Sequence, residues 1–563
     1  MKRALVALAL TIFCIGLTTA QNLNATAKTG NVTAEYNRNS LTVLFLDGTP
    51  HYSNDVRVNA ERIVIPDKFD DNLLSQRILR LGSNSKISDA LYRDNIANSI
   101  LAKWFSRDAN GNFSMDLIHN RGLYNATDEH IIQAKNSKLG LDLVKDAGEA
   151  LIAHSYIMVI KLKDIKTMTQ VYNEIDAQRR VWRGDKAVPV MRTHEGFQCN
   201  ATCYLFRIDS VSDVIDELYN EMWIFEEDTP EERNNKITKF NNYKVPIKLE
   251  TTITVDVDGS VPKTKGFSHS LLITNLLNKS ITASIGEFET SIDNFKVKNA
   301  VYSTFPIRAK IGMKEGLSVD DRYFVYEHQL DRNGNQKDVR IGVVRAKRVA
   351  DNRTIADGKS SMSKFYQVAG RSIKAGMIMN QAKDAGTATT LGFTKGDFNS
   401  VFLRADVRVS GSMVKIPMVH TFLDLRLQIS GKYNGDIIDL DDHLVTFATG
   451  YLGLSKGFAT TRNSAAYLSG AIGYEWATSG AFDDYKIKSV QAIMAMVSAE
   501  FAHNITYNTK LFVGVDYIAP ISNAYIKYDG DDDGDEKISE YAYTDFFNGR
   551  IGKTIKFGIR LEM

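Results

Sequence analysis

From Ser400 onward, apolar and polar residues alternate with a period of two. Val401, Leu403, Ala405, Val407 and Val409 stand opposite Phe402, Arg404, Asp406 and Arg408. Val419, Leu423, Leu425, Leu427 and Ile429 stand opposite His420, Asp424, Arg426 and Gln428. Leu444–Ser455, Ala466–Trp476, Ile487–Ala502 and Tyr507–Tyr517 extend the series. In the final run, Ile551, Ile555, Phe557, Ile559, Leu561 and Met563 alternate with Gly552, Thr554, Lys556, Gly558, Arg560 and Glu562. Strands of about 9–11 residues, apolar outward and polar inward, predict a transmembrane β-barrel. The competing reading is a soluble sandwich with one buried face, which long strands in such succession disfavour.

Parity sharpens the prediction. If the chain ends on the periplasmic side, the seven runs require one more strand rising before Asp397, and Ala388–Thr394 supplies it. Eight strands result, with Gly411–Ile416, Lys456–Asn463 and His503–Thr506 as short inner turns. Gly431–Asp442, Ala477–Lys486 and Ile521–Asn548 become outer loops, and Pro417 and Pro520 fall at strand ends. The inward charges Arg404, Asp406, Arg408, Asp424, Arg426, Glu500, Lys510, Asp516, Lys556 and Arg560 carry both signs. In an eight-stranded barrel, just wide enough to be filled by side chains, they are expected to pair and plug the lumen.

Before Ser400 the periodicity changes. Asn84–Phe105 places Ile87, Leu91, Ile96, Ile100, Leu101 and Trp104 at helical spacing, and Thr127–Ala153 and Val211–Phe225 read as helices too. Tyr156–Lys163 and Lys248–Asp258 read as strands. From about Lys296 a second module begins, with short strands expected at Phe305–Met313, Arg322–His328 and Val339–Val349 around turns such as Asp331–Asn335. At the other end, Lys2 and Arg3, the apolar Ala4–Leu17 and the small residues Thr18–Ala20 read as a secretory signal cleaved before Gln21.

Composition adds three points. The 69 Lys+Arg and 67 Asp+Glu leave 67 against 67 once Lys2 and Arg3 depart, so nucleic acid is a poor partner. With only 9 Pro, no Pro-rich linker architecture is available. Cys199 and Cys203, in Cys-Asn-Ala-Thr-Cys, are expected to form a disulfide in an exported chain, ahead of free thiols and well ahead of a metal pair with His194.

Candidate chemistry is thin. Asp529, Asp531, Asp533, Gly534 and Glu540 fit the spacing of a calcium loop, with carboxylates at positions one, three, five and twelve. Glu536 replaces the usual apolar residue and no flanking helices are predicted, so a solvated acidic loop competes with calcium as the reading. Gly549–Thr554 imitates a phosphate loop but has two residues, not four, between its glycines, and lies in a strand. His194-Glu195 and Asp128-Glu129-His130 are isolated clusters. No nucleophile elbow, zincin or dinucleotide motif is present, and no enzyme is expected.

Two resemblances follow from these residues. Gly312–Glu327, with its Gly-Leu and Asp-Arg-Tyr turn, followed by Ile341-Gly-Val-Val-Arg-Ala-Lys-Arg-Val, resembles the small C-terminal β-barrel of flagellar-assembly protein T. That resemblance spans about 80 residues and implies a periplasmic module used for contacts. The C-terminal runs resemble the barrels of Gram-negative outer-membrane proteins, whose last strand carries the assembly signal and usually ends in an aromatic residue, where Met563 stands here. The expectation is therefore a multidomain α+β chain. It comprises a signal peptide (1–20), a mixed α/β periplasmic region of one or two units (21–295) and a small β-barrel module (296–382). An eight-stranded antiparallel transmembrane β-barrel (383–563) completes it. The expected partners are outer-membrane lipid and envelope or periplasmic proteins, with no cofactor beyond possible calcium. Envelope scaffolding is the leading function, and surface adhesion through the outer loops the alternative.

Overall fold

The computed structural model describes residues 39–563 apart from 73, 83–84, 115–151, 226, 264–265, 331–335, 354–361, 431–434, 441–442 and 529–535. The expected signal peptide and nearly all of Thr127–Ala153 lie outside the described residues.

The first domain is built on one mixed sheet. Its spatial order is Asp70–Asp71, Ser40–Leu46, Ser155–Thr167, Phe197–Ile208 and Ile247–Asp258. Ser40–Leu46 pairs in parallel with Ser155–Thr167, and the other long pairs are antiparallel. Successive side chains point to opposite faces, and both faces are covered. Leu44, Ile157, Val159 and Phe206 pack against the helices Ile87–Arg93, Ile96–Trp104 and Val211–Glu217 on one side. Val43, Met158, Ile160, Ala201 and Leu205 pack against the long helix His269–Ser291 on the other. The predicted helix Asn84–Phe105 is two helices, because Asn95 adopts a left-handed conformation (φ 49°) that asparagine tolerates and that ends the first. The predicted strands at Tyr156 and Lys248 are present, the first longer by five residues and the second by one.

The second module is a small closed sheet. Its strands run in the order Ser303–Thr304, Ile307–Ala309, Ser363–Gly370, Gln336–Arg348, Arg322–Leu330, Ile378–Gln381, Lys298–Ala300. The first and last are consecutive in the chain, so the stretch Lys298–Thr304 pairs with Ile378–Gln381 through its first half and Ile307–Ala309 through its second. Closure wraps one apolar core that includes Val301, Tyr323, Val325, Ile341, Val344 and Phe365.

The C-terminal domain is a closed antiparallel barrel. Its eight strands are Thr387–Gly396, Val401–Arg408, Val419–Ser430, Val445–Ala459, Ser464–Ser479, Ile487–Asn504, Thr509–Pro520 and Gly552–Glu562. Each pairs with its sequence neighbour through the seventh; the eighth lies between the seventh and the first, and the ring closes. At the end where parity places the inner turns, the connections are residues 409–418, 460–463 and 505–508, the last two of four residues each. The segment read as the longest outer loop, Ile521–Asn548, is instead largely ordered. Asn523–Tyr528 and Glu536–Ala542 form a hairpin that pairs with the start of the sixth strand, and a short helix follows at Tyr543–Phe546. Among the described residues no helix is long and apolar enough to cross a membrane, which leaves strand crossing unaffected.

Candidate functional site

The barrel is apolar outside and charged inside. Leu391, Phe393, Val407, Leu423, Leu425, Leu427, Ile472, Val513, Ile555, Phe557 and Ile559 lie exposed on its outer wall. In water such a continuous belt would be strongly unfavourable. In a bilayer it is the matched surface, and Tyr474, Trp476 and Tyr517 sit on it near the outer ends of their strands, where interfacial aromatics belong. This is the inside-out arrangement of a membrane-spanning β-barrel.

The lumen is filled by paired charges. Arg404 meets Asp406 at 2.6 Å and stacks over the Phe422 ring at 3.6 Å. Arg426 bridges Asp424 at 3.0 Å and Asp516 at 2.8 Å. Lys556 lies between Glu500 (3.2 Å) and Asp516 (3.3 Å), and Arg560 meets Glu500 at 2.8 Å. Lys510 pairs with Glu562 near the inner end. A further pair toward the outer mouth, absent from the predicted set, is Arg550 with Glu475. Glu475 also accepts from Thr449 Oγ1 (2.7 Å) and Tyr543 OH (3.0 Å), and Arg550 Nη1 donates to Gln428 Oε1 at 2.8 Å. Each member is thus offered several partners, which is the condition under which buried charge is tolerated. Inward glycines make room for the rings between the layers: a Cβ on Gly392 would stand 2.5 Å from Phe402.

Both mouths are closed by protein. At the outer end Tyr543, Phe546 and Phe547 fold back to form one buried apolar cluster with Ile438, Leu440, Phe447 and Phe482. At the inner end the small module seats directly on the barrel turns. Asp320 accepts from Met418 N (2.6 Å) and Tyr366 OH (2.7 Å). Asn463 Oδ1 accepts from Gly370 N at 2.7 Å, and Tyr507 OH donates to Arg340 O at 3.0 Å. Arg408, predicted as a lumen charge, is a correction: it lies partly exposed on the inner rim and points to the junction, where it and Arg345 each reach Asp384 at 2.5 Å. Burial alone would raise the Asp384 carboxyl, but Arg345, Arg408 and Arg322 outweigh it and hold it at about 2. Neighbouring Asp321 goes the other way, pushed up to about 6 chiefly by burial.

Two other predicted sites fare differently. Cys199 and Cys203 are free and buried. They lie four residues apart on one strand, so their Cα atoms are about 13 Å apart and no disulfide can join them. Both face the long helix, and burial raises each thiol, Cys199 to about 11. Of the calcium motif, Asp529, Asp531 and Asp533 lie outside the described residues. Glu540 is exposed on the paired strand Glu536–Ala542. Among the described residues no cluster of His, Cys, Asp and Glu has metal-binding form.

No protein-family profile matches the chain. No curated protein matches it either. Among solved structures it is similar to the N-terminal β-barrel domain of Pseudomonas aeruginosa OprF, at 10% identity over 32% of this chain and 100% of that one, with a TM-score of 0.19. It is likewise similar to Neisserial surface protein A (13% identity, 31% of this chain and 94% of that one, TM-score 0.20). A major outer membrane protein from Thermus thermophilus matches at 10% identity over 31% of this chain and 99% of that one, with a TM-score of 0.23. Each match spans about a third of this chain, and the barrel is assigned from its own strand pairing and wall chemistry, not from these likenesses.

Proposed function

We propose that this is a non-enzymatic, non-conducting outer-membrane protein whose barrel anchors a periplasmic region used for envelope contacts or assembly scaffolding. The observation that carries this reading is the lumen: its charges are mutually paired and both mouths are covered by the chain itself. An anchor needs no path through the wall, and nothing in the paired lumen favours passage of either ion sign. The small barrel, on the resemblance drawn from Gly312–Glu327 and Ile341–Val349, serves as a contact module between anchor and first domain. The first domain meets the link that follows this module, where Lys383 Nζ donates to Gly286 O at 3.0 Å. A second reading, surface interaction, draws on the hairpin Asn523–Ala542, which continues past the barrel wall on the side opposite the module.

Fractionation with protease shaving separates the two. The chain is expected with the outer membrane, its migration on gels dependent on heating, and residues 39–381 protected in intact cells but cleaved after the outer membrane is opened. Cleavage of that region in intact cells would overturn the periplasmic reading and favour display.

A further inference from the structure

The helix Met168–Arg183 leaves the body of the first domain. A capping box of Thr167 and Gln170 starts it at the end of the strand Ser155–Thr167, and its buried residues are Met168 and Tyr172, both in the first two turns. Beyond them it runs on for about eleven residues without joining a core. The returning segment is tied alongside: Arg179 Nη1 donates to Val188 O (3.3 Å), Val190 N to Asp176 Oδ1 (2.7 Å) and Arg192 Nη2 to Asn173 Oδ1 (2.7 Å). This bracing fixes an apolar surface in solvent. Trp182 is 88% exposed, Val181 86%, Met191 79% and Val188 72%. Isolated helices of this length are marginal in water, and a bare tryptophan on a braced one is the usual anchor of a protein contact.

Charge identifies the occupant. Between Arg179 and Arg192 the sequence carries five basic residues and one acid, Asp185. Arg179 and Arg192 are engaged in the bracing, which leaves Arg180, Arg183 and Lys186 beside the apolar residues. We propose that the tip docks an acidic segment with an apolar face, belonging to another protein of the envelope. This rests on the anchor-and-scaffold reading and names the chemistry of its partner.

The test uses the full chain in zwitterionic nanodiscs and a labelled amphipathic Glu/Leu helical peptide, with a Lys/Leu peptide of the same pattern as counterpart. The Glu/Leu peptide is expected to bind, the Lys/Leu peptide not. Arg180→Glu with Arg183→Glu, or Trp182→Ala alone, should each weaken binding by ~10-fold or more while heat-dependent gel migration stays unchanged. Equal binding of both peptides, or indifference to these exposed substitutions, overturns the proposal. Competition by phosphatidylglycerol vesicles would assign the surface to lipid and also overturn it. In cells, a photo-crosslinking residue in place of Trp182 should give an adduct whose captured peptide is acidic and which the double arginine variant loses. An adduct with a second copy, or none, overturns it. Because the peptide assay is independent of which side of the membrane the domain occupies, its failure is distinguishable from failure of the periplasmic reading.

Discussion

This chain closes an antiparallel sheet on itself twice, and the two barrels are inverted copies in chemistry. The small module buries Val325, Ile341, Val344 and Phe365 and turns charged residues such as Lys337 to solvent. The large barrel buries Arg404, Asp424, Arg426, Glu475 and Arg550 and turns leucine, valine and phenylalanine outward. Hydrogen-bonding geometry is the same in both, so the ladder does not decide which face is apolar. The surroundings do: water outside the module, hydrocarbon outside the barrel. The junction between them, where Arg345, Arg408 and Arg322 gather around Asp384, is where one solvent rule gives way to the other.

The sharpest way to break this comparison is to leave a charge alone in the lumen. Arg550→Ala strands Glu475 and should lose about 3–5 kcal/mol of barrel stability by urea unfolding in detergent. Replacing both, Glu475→Leu with Arg550→Met, should recover most of that loss. Next is a charge on the wrong outer wall. Leu425→Arg in the membrane belt should lose about 2–4 kcal/mol in lipid vesicles, whereas the converse change on the module, Lys337→Leu, should stay within about 0.5 kcal/mol. A smaller effect tests the module's packing: Ile341→Val should lose about 0.5–1.5 kcal/mol and leave the barrel's unfolding unmoved.

The junction adds a pH signature. Asp321 titrates at about 6 when folded against 3.8 otherwise, so the folded state takes up a proton in that window and stability rises as pH falls from 7 to 4. Asp384 is depressed to about 2, so its contribution is present above 3.8 and is lost as pH falls through 2. Urea midpoints at pH 7, 4.5 and 2.5 should therefore pass through a maximum at the middle value, and Asp321→Asn should flatten the upper limb. The smallest effect is a null one: reductant should change neither gel migration nor stability, and both thiols should react only on unfolding.

The barrel is legible because its two faces meet different solvents, which imprints period two on every strand. Parity even supplies the first strand, the least regular of the eight. Glu475 and Arg550 are legible in principle too: each is in phase with the inward set, between Tyr474 and Trp476 and just before Ile551. Flanking aromatics and the glycines of the false phosphate loop mask them. The first domain hides more. Ser40–Leu46 is buried on both faces and so has no alternation. The helix His269–Ser291 carries Thr274, Ser280 and Ser284 on its buried face, which blurs its apolar stripe. The disulfide expectation fails because it rests on compartment without geometry: a spacing of four on a strand puts both thiols on one face yet far apart.

The central claim is that the lumen is a packed, mutually neutralised interior closed at both mouths. Conductance of the full-length protein in planar bilayers tests it most directly. The account predicts insertion, verified by heat-dependent migration of recovered protein, with no steady current at either polarity. Stable, ion-selective steps from the unmodified chain would contradict it.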